Sequence, residues 1–462
     1  MFIPKNKWLL LACFSFLSQF SNAQADKTIN PEQDILKIYE AQLKAGYSLR
    51  EMSDLEIAKY MAKGKQGISS VNDFAKQLVS LFPPQTSSKI AVLFFVFNKD
   101  TLFRYFIVPG KIIEQKAISI SKNKLEQLNI DVYNALNIYD LAESRSPRER
   151  GLKPVKKKLL PTINFEKAIN NATKILLPES FDEKYQHLII IPSFTIGAFP
   201  FQLLKPYKDS SYLIDKCSFS IAPSLLDLIA IRKRLFKNSL ADQQGRDSIS
   251  FTLDNPLFIS NPAYPTNARY IFPDLPGAKK EIAASIPFAK RYTLLEGANA
   301  TKVNVLNSIR NCDVAYFATH GVASEENPKD NNFLVLAGNE DPFLTTRNIM
   351  ELRDSTFSGE FKFPQLVILS ACQTGLGKSM EAGITAGLAR SFLISGASQV
   401  IMSLWNVDDE ATAYLMNRFI YHLQNQNLFS PSEPLRLAEL DTRKKFKNPA
   451  QWASFSVFGV NY

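Results

Sequence analysis

The stretch Pro364-Gln-Leu-Val-Ile-Leu-Ser-Ala-Cys-Gln-Thr-Gly-Leu-Gly377 decides the fold. Leu366 to Leu369 is uniformly apolar and rich in β-branched residues, the pattern of a strand covered on both faces. It runs into Ser370, Ala371 and Cys372, then a turn containing Gly375 and Gly377, then a helix-like segment. Open α/β sheets bind ligands beyond the carboxyl ends of their strands, so this reading delivers Cys372 to a functional edge. A second stretch is built the same way: Asp313 to Phe317 is apolar and ends in Ala318, Thr319, His320 and Gly321. His320 precedes Cys372 by 52 residues. A thiol and an imidazole on neighbouring strand ends suit a cysteine nucleophile, because the thiolate attacks and a base must first take its proton. Spacing alone leaves open the other outcome, a buried structural cysteine and histidine.

The bulk properties narrow the setting. With 462 residues, 45% of them apolar and 21% charged, the chain has the composition of two or three globular domains. No membrane span follows residue 25. Residues 1–25 read as a secretory signal peptide: Lys5 and Lys7, an apolar run from Trp8 to Phe20, and the small-x-small site Ala23-Gln24-Ala25. A lipoprotein cut before Cys13 would leave too short an apolar run, so the expected destination is periplasmic or secreted. The formal charge of +10 falls to +8 without Lys5 and Lys7. Its basic clusters, Arg145 to Lys158, Arg232 to Lys237 and Arg443 to Lys447, read as solvated faces, and an exported chain is expected to have no nucleic-acid partner.

After the signal three cysteines remain, Cys217, Cys312 and Cys372, too few for a disulfide scaffold. Cys217 and Cys312 sit in strand-like runs and read as buried free thiols, with a pairing between them left open. Three histidines give no metal-ligand spacing, and neither a metal nor a cofactor is expected. His187 stands at the wrong end of its strand for a site and reads as core or surface. His422 lies near a helix C-terminus, where a cation suits the dipole.

Taken in order, Asp26 to about Pro83 has helical periodicity and reads as a small helical cap. Ile90 to Phe97 and Leu102 to Val108 flank a polar turn and predict a β-hairpin. Helices are predicted over Asn123–Ala142 and Phe165–Leu177, and a strand over Leu188–Ile191. Phe199–Leu204 and Cys217–Pro223 are expected to continue that sheet. Residues 237–254 are polar and predict an exposed connector. A second set of α/β elements follows: strands at Leu257–Ser260 and Val400–Leu404, and helices at Lys279–Ile286, Thr301–Ile309, Ile384–Ile394 and Glu410–Gln424. Gly396 predicts a helix end, and Asp408 or Asp409 a cap on the last of these helices.

The motif around His320-Gly321 and the one around Ser370-Ala371-Cys372-Gln373-Thr374-Gly375 resemble the two signatures of CHAT domains, members of the clan of caspases, separases and gingipains. The resemblance extends through Gly387, Arg390, Phe392, Gly396, Trp405, Val407, Asp408, Asp409, Thr412, Trp452 and Gly459. Upstream it takes in Pro200-Phe201, Ala222-Pro223-Ser224, Asn261-Pro262 and Leu275-Pro276-Gly277-Ala278. It implies a caspase-like α/β fold, a mixed, mostly parallel sheet flanked by helices. It also implies a division into a helical N-terminal segment (26–85), a non-catalytic protease-like half (86–236), the connector (237–254) and a catalytic half (255–462). The implied activity is a cysteine endopeptidase acting on protein or peptide substrates, with Cys372 as nucleophile and His320 as general base. The N–H groups of Gly321 and Cys372 are the expected oxyanion hole. Asp408 or Asp409 is the candidate to read a basic residue before the scissile bond, with helix capping as the other role open to them. A regulatory partner or self-cleavage is the expected trigger. The competing class is a CHAT fold kept as an interaction module with a silent dyad.

Overall fold

The computed structural model describes residues 31–48, 68–82, 84–138, 148–149, 163–241, 251–266, 270–322, 330–358, 362–371, 387–405, 409–425 and 430–460. The signal-peptide reading of residues 1–25, the basic cluster from Arg145 apart from residues 148–149, Cys372 and Asp408 lie outside these residues. Among the described residues no helix is long and apolar enough to cross a membrane.

The strands are β1 (Ile90–Asn98), β2 (Thr101–Val108), β3 (Lys111–Ser119), β4 (Arg148–Glu149), β5 (His187–Ile191), β6 (Ser218–Ile221), β7 (Leu257–Pro262) and β8 (Tyr270–Ile271). They continue with β9 (Thr293–Gly297), β10 (Val314–Ala318), β11 (Gly321–Val322), β12 (Phe333–Val335), β13 (Phe343–Thr345), β14 (Leu366–Ser370), β15 (Gln399–Ser403) and β16 (Phe455–Gly459). Eleven of them form one sheet in the order β3-β2-β1-β5-β6-β16-β15-β14-β10-β7-β9. Neighbours are parallel except β1–β2, β2–β3 and β15–β16. This is the mixed, mostly parallel sheet expected. Its central strands are buried along almost their whole length, and so their sequences are apolar at every position rather than at alternate ones.

The antiparallel step between β15 and β16 has a consequence for the site. β16 runs parallel to β6, through the register Phe458↔Ile221, so β1, β5 and β6 point opposite to β7, β10, β14 and β15. The strand ends of the first half therefore emerge on the other edge of the sheet from those of the second half. Polar contacts stitch the halves together. Gln202 Nε2 donates to the carbonyls of Ala453 (2.6 Å) and Phe455 (3.2 Å). Arg390 Nε reaches Asp227 Oδ2 at 3.3 Å, both side chains nearly fully buried. Ser224, whose hydroxyl donates to Asp227 (2.7 Å) and accepts from its N–H (3.0 Å), fixes that carboxylate.

The hairpin at 90–108 forms as expected, and a third strand, β3, extends it. Phe199–Leu204 is not a strand: Phe201–Leu203 is a 3-10 turn. Pro200 has no N–H to give a ladder, and Gln202 is turned inward to hold the second half. Of the expected connector, residues 237–241 continue the helix Leu225–Ala241, Phe251 and Leu253 are buried, and residues 242–250 lie outside the described residues. The helix Leu388–Ser395 stops at Gly396, whose φ of 140° suits glycine, as the C-terminal signal requires.

The remaining histidines and thiols have structural roles. His187 is buried between the hydroxyls of Ser218 (2.9 Å) and Ser220 (3.1 Å), and burial lowers its pKa to about 3. His422 sits at 2.8 Å from Asp441 Oδ2 on the helix Ser432–Lys445. Cys217 and Cys312 are both buried and free, and burial pushes both thiols well up.

Candidate active site

β10 and β14 are adjacent and parallel, with Ala318 opposite Ser370. Each has spent its apolar residues by that point, and each continues into the polar residues singled out by sequence. β10 leads through Thr319 to His320, which is fully buried. Thr319 Oγ1 donates to the Val335 carbonyl (2.5 Å), and the Val335 N–H donates to the His320 carbonyl (2.9 Å), tying this strand end to β12. The imidazole lies against Tyr264, with centroids 4.7 Å apart, and Phe272, at 5.7 Å. Its Nε2 is 2.7 Å from the carbonyl oxygen of Pro273. A carbonyl only accepts, so Nε2 carries the proton and Nδ1 holds the basic lone pair.

The loop that supplies this carbonyl is itself held. Asn261, at the end of β7, has φ 41°, in the left-handed region that asparagine tolerates better than most residues. From there its Nδ2 donates to Asp274 Oδ1 (2.7 Å) and its Oδ1 accepts from the Leu275 N–H (3.0 Å). Pro276 then opens the helix Pro276–Ser285.

Gly321 begins β11 and pairs with Leu334 of β12. Because residues 320 and 335 are joined by a backbone hydrogen bond, the next pair, Gly321↔Leu334, is of the non-hydrogen-bonded kind. The Gly321 N–H therefore points away from β12.

On the neighbouring strand the last two described residues before Cys372 are both anchored. The Ser370 hydroxyl donates to Glu281 Oε2 at 3.0 Å, and the Ala371 carbonyl accepts from the Ser403 hydroxyl at 2.9 Å. Glu281 is buried, and its Oε1 accepts from the Tyr316 hydroxyl. Burial beside that carboxylate raises the Tyr316 pKa well above its ordinary value, keeping the phenol a donor.

A cleft opens past these strand ends, lined by Glu281, Thr319, Ser370, Ser403, Trp405 and Asp409 among others. Asp409 is the first residue of the helix Asp409–Asn425 rather than the residue before it. Its carboxylate packs so closely on the first turn of the helix Pro276–Ser285 that a Cβ on Gly277 would lie 2.4 Å from its Cγ. Of the residues singled out by sequence, the structure thus brings His320, Gly321 and Asp409 to one edge of the sheet. Asn261 and Ser403, which sequence placed only within the family motifs and without a role, join them, as do Glu281 and Pro273, which sequence did not single out. Of these two, Glu281 left a readable trace: it interrupts the buried stripe Ala278, Ile282, Ser285 of its helix with a charge.

The CHAT domain family matches residues 154–460. The chain belongs to that family. Tetratricopeptide repeat protein 28 of Homo sapiens is 24% identical over 310 residues, covering 60% of this chain and 12% of the relative. The Mus musculus protein of the same name is 23% identical over 310 residues, with the same coverage. This CHAT chain thus spans only 12% of the length of the curated relatives it matches. Among solved structures, separase of Saccharomyces cerevisiae in its complex with securin superposes with a TM-score of 0.51 at 12% identity, over 90% of this chain and 33% of that one. The fold is the caspase-like one.

Proposed function

We propose that this CHAT protein is an exported cysteine endopeptidase. Cys372 is the nucleophile and His320 the general base. His320 Nδ1 takes the thiol proton, the sulfur attacks the scissile carbonyl carbon, and the oxyanion accepts from the N–H groups of Gly321 and Cys372. The imidazolium returns its proton to the leaving amine as the C–N bond breaks, and a water deprotonated by the same nitrogen hydrolyses the thioester. The observation that carries this reading is the 2.7 Å contact between His320 Nε2 and the Pro273 carbonyl. It protonates the nitrogen that must not act as base and stabilises the imidazolium that forms, the part a carboxylate plays in serine peptidases. The outward Gly321 N–H is a second support.

Asp409 in the adjoining cleft supports a preference for a basic side chain before the scissile bond. Its substrates are proteins or peptides, and a regulatory protein partner controls it, a role compatible with the securin complex of its separase neighbour. The test is to incubate the purified parent, Cys372→Ala and His320→Ala with a proteome from the exported compartment and map new peptide termini. New termini after Lys or Arg with the parent alone are expected. Equal cleavage by the parent and either variant refutes the dyad. No cleavage by any of them, with partner-dependent capture, indicates an interaction module instead.

A further inference from the structure

Among the described residues, Glu281 is the one carboxylate that touches both strands leading to His320 and Cys372. It comes from the helix Pro276–Ser285, reaches Tyr316 on β10, four residues before His320, and reaches Ser370 on β14, two residues before Cys372. The same segment of chain, three residues before that helix starts, provides the Pro273 carbonyl to His320. A carboxylate buried at this depth destabilises a fold unless its oxygens accept hydrogen bonds, and an apolar side chain of similar size would fill the space without that penalty. Here one hydroxyl from each dyad strand satisfies one oxygen, and Ser403 pins Ala371 from the opposite side.

From this arrangement we infer that Glu281 is a positioning residue: through Tyr316 and Ser370 it fixes the spacing of the strand ends that carry His320 and Cys372. It acts on the geometry of the dyad. A thiol held within reach of a base reacts faster than one displaced from it, and misplacement by about 1 Å costs rates up to 10²-fold. The inference rests on the dyad proposed above, and its test separates the two.

The full chain is alkylated with iodoacetamide, a small neutral reagent, and the rate at Cys372 is followed by mass spectrometry of its peptide. Cys217 and Cys312 are buried with raised pKa values and serve as slow internal references. Glu281→Ala and Ser370→Ala are each expected to slow Cys372 by roughly tenfold or more. The double variant should be no slower than Glu281→Ala alone, because both changes break one link. Glu281→Gln, whose amide still meets both hydroxyls, should stay within about threefold of the parent. Should Glu281→Ala not fold, Ser370→Ala decides, since it removes one hydroxyl from a partly exposed position. Parent-like rates in Glu281→Ala and Ser370→Ala overturn the inference, as do multiplicative losses in the double variant. A pure substrate-reading role for Glu281 would leave this small reagent unaffected and falls on the overturning side. His320→Ala reports on the dyad itself: a parent-like rate there refutes the peptidase reading, whatever the Glu281 arm shows.

Discussion

Gly277→Ala probes the contact between the first turn of one helix and the first residue of another. The added Cβ would sit 2.4 Å from Asp409 Cγ, 2.5 Å from its Cβ and 2.6 Å from its Oδ1. These distances lie well inside van der Waals contact, and neither Asp409, a short side chain at a helix start, nor the Gly277 backbone can give way freely. Overpacking of this kind costs about 1–3 kcal/mol. Alanine in place of glycine returns at most about 1 kcal/mol of helix propensity, less in a first turn, so a net loss of about 1–2 kcal/mol is expected. The pattern of rescue is more discriminating than the size of the loss. Asp409→Ala keeps the Cβ that lies 2.5 Å away and should not relieve the clash; Asp409→Gly should. Denaturant unfolding of the full chain for the single and double variants measures both. A Gly277→Ala protein as stable as the parent, or rescue by Asp409→Ala equal to that by Asp409→Gly, would show that the packing argument is wrong. The same variant reports on the cleft: if the Asp409 carboxylate reads a basic side chain, Gly277→Ala should weaken a Lys or Arg preference in the direction Asp409→Asn does.

Two further outcomes follow from buried charge. The folded-state pKa of His187 is lowered to about 3 by burial, so below pH 6.5 the unfolded chain takes up a proton that the folded chain refuses. Stability should fall as pH drops from 6.5 towards 3, at up to about 1.4 kcal/mol per pH unit from this group, and His187→Gln should remove that part of the slope in unfolding free energies measured from pH 7 to 4.5. Asp227 and Arg390 form a buried pair across the two halves of the sheet. Asp227→Ala, which takes the carboxylate away from the buried guanidinium, should cost up to about 3–5 kcal/mol, and adding Arg390→Met should recover part of it; a thermal scan in which the double variant is no better than the single would refute the pairing.

What could be read in advance divides by physical cause. Leu366–Leu369 and Asp313–Phe317 announced themselves because a parallel strand with helices on both faces must be apolar at every position, and both became the central strands β14 and β10. β3 gave no such signal. Lys111–Ser119 lies at the sheet edge with exposed residues at alternate positions, and its polar face hid it. Phe199–Leu204 failed the other way: apolar composition suggested a strand where Pro200 allows only a turn. In the site, His320 was visible by its place at a strand end, whereas the partner that sets its tautomer was not. That partner is the backbone carbonyl of Pro273, which every residue type supplies equally, so no side chain advertises it. Sequence choice enters one step further out, at Asn261. There a left-handed φ of 41° and two side-chain hydrogen bonds to Asp274 and Leu275 are needed together. Asparagine meets both demands: its short amide offers a donor and an acceptor, and it tolerates that backbone region better than longer or β-branched residues. Glycine would keep the conformation and lose both hydrogen bonds, and aspartate would keep the acceptor but set its charge against Asp274. The tautomer of His320 is thus set through the fold, with the help of a residue on β7 that holds the loop carrying Pro273.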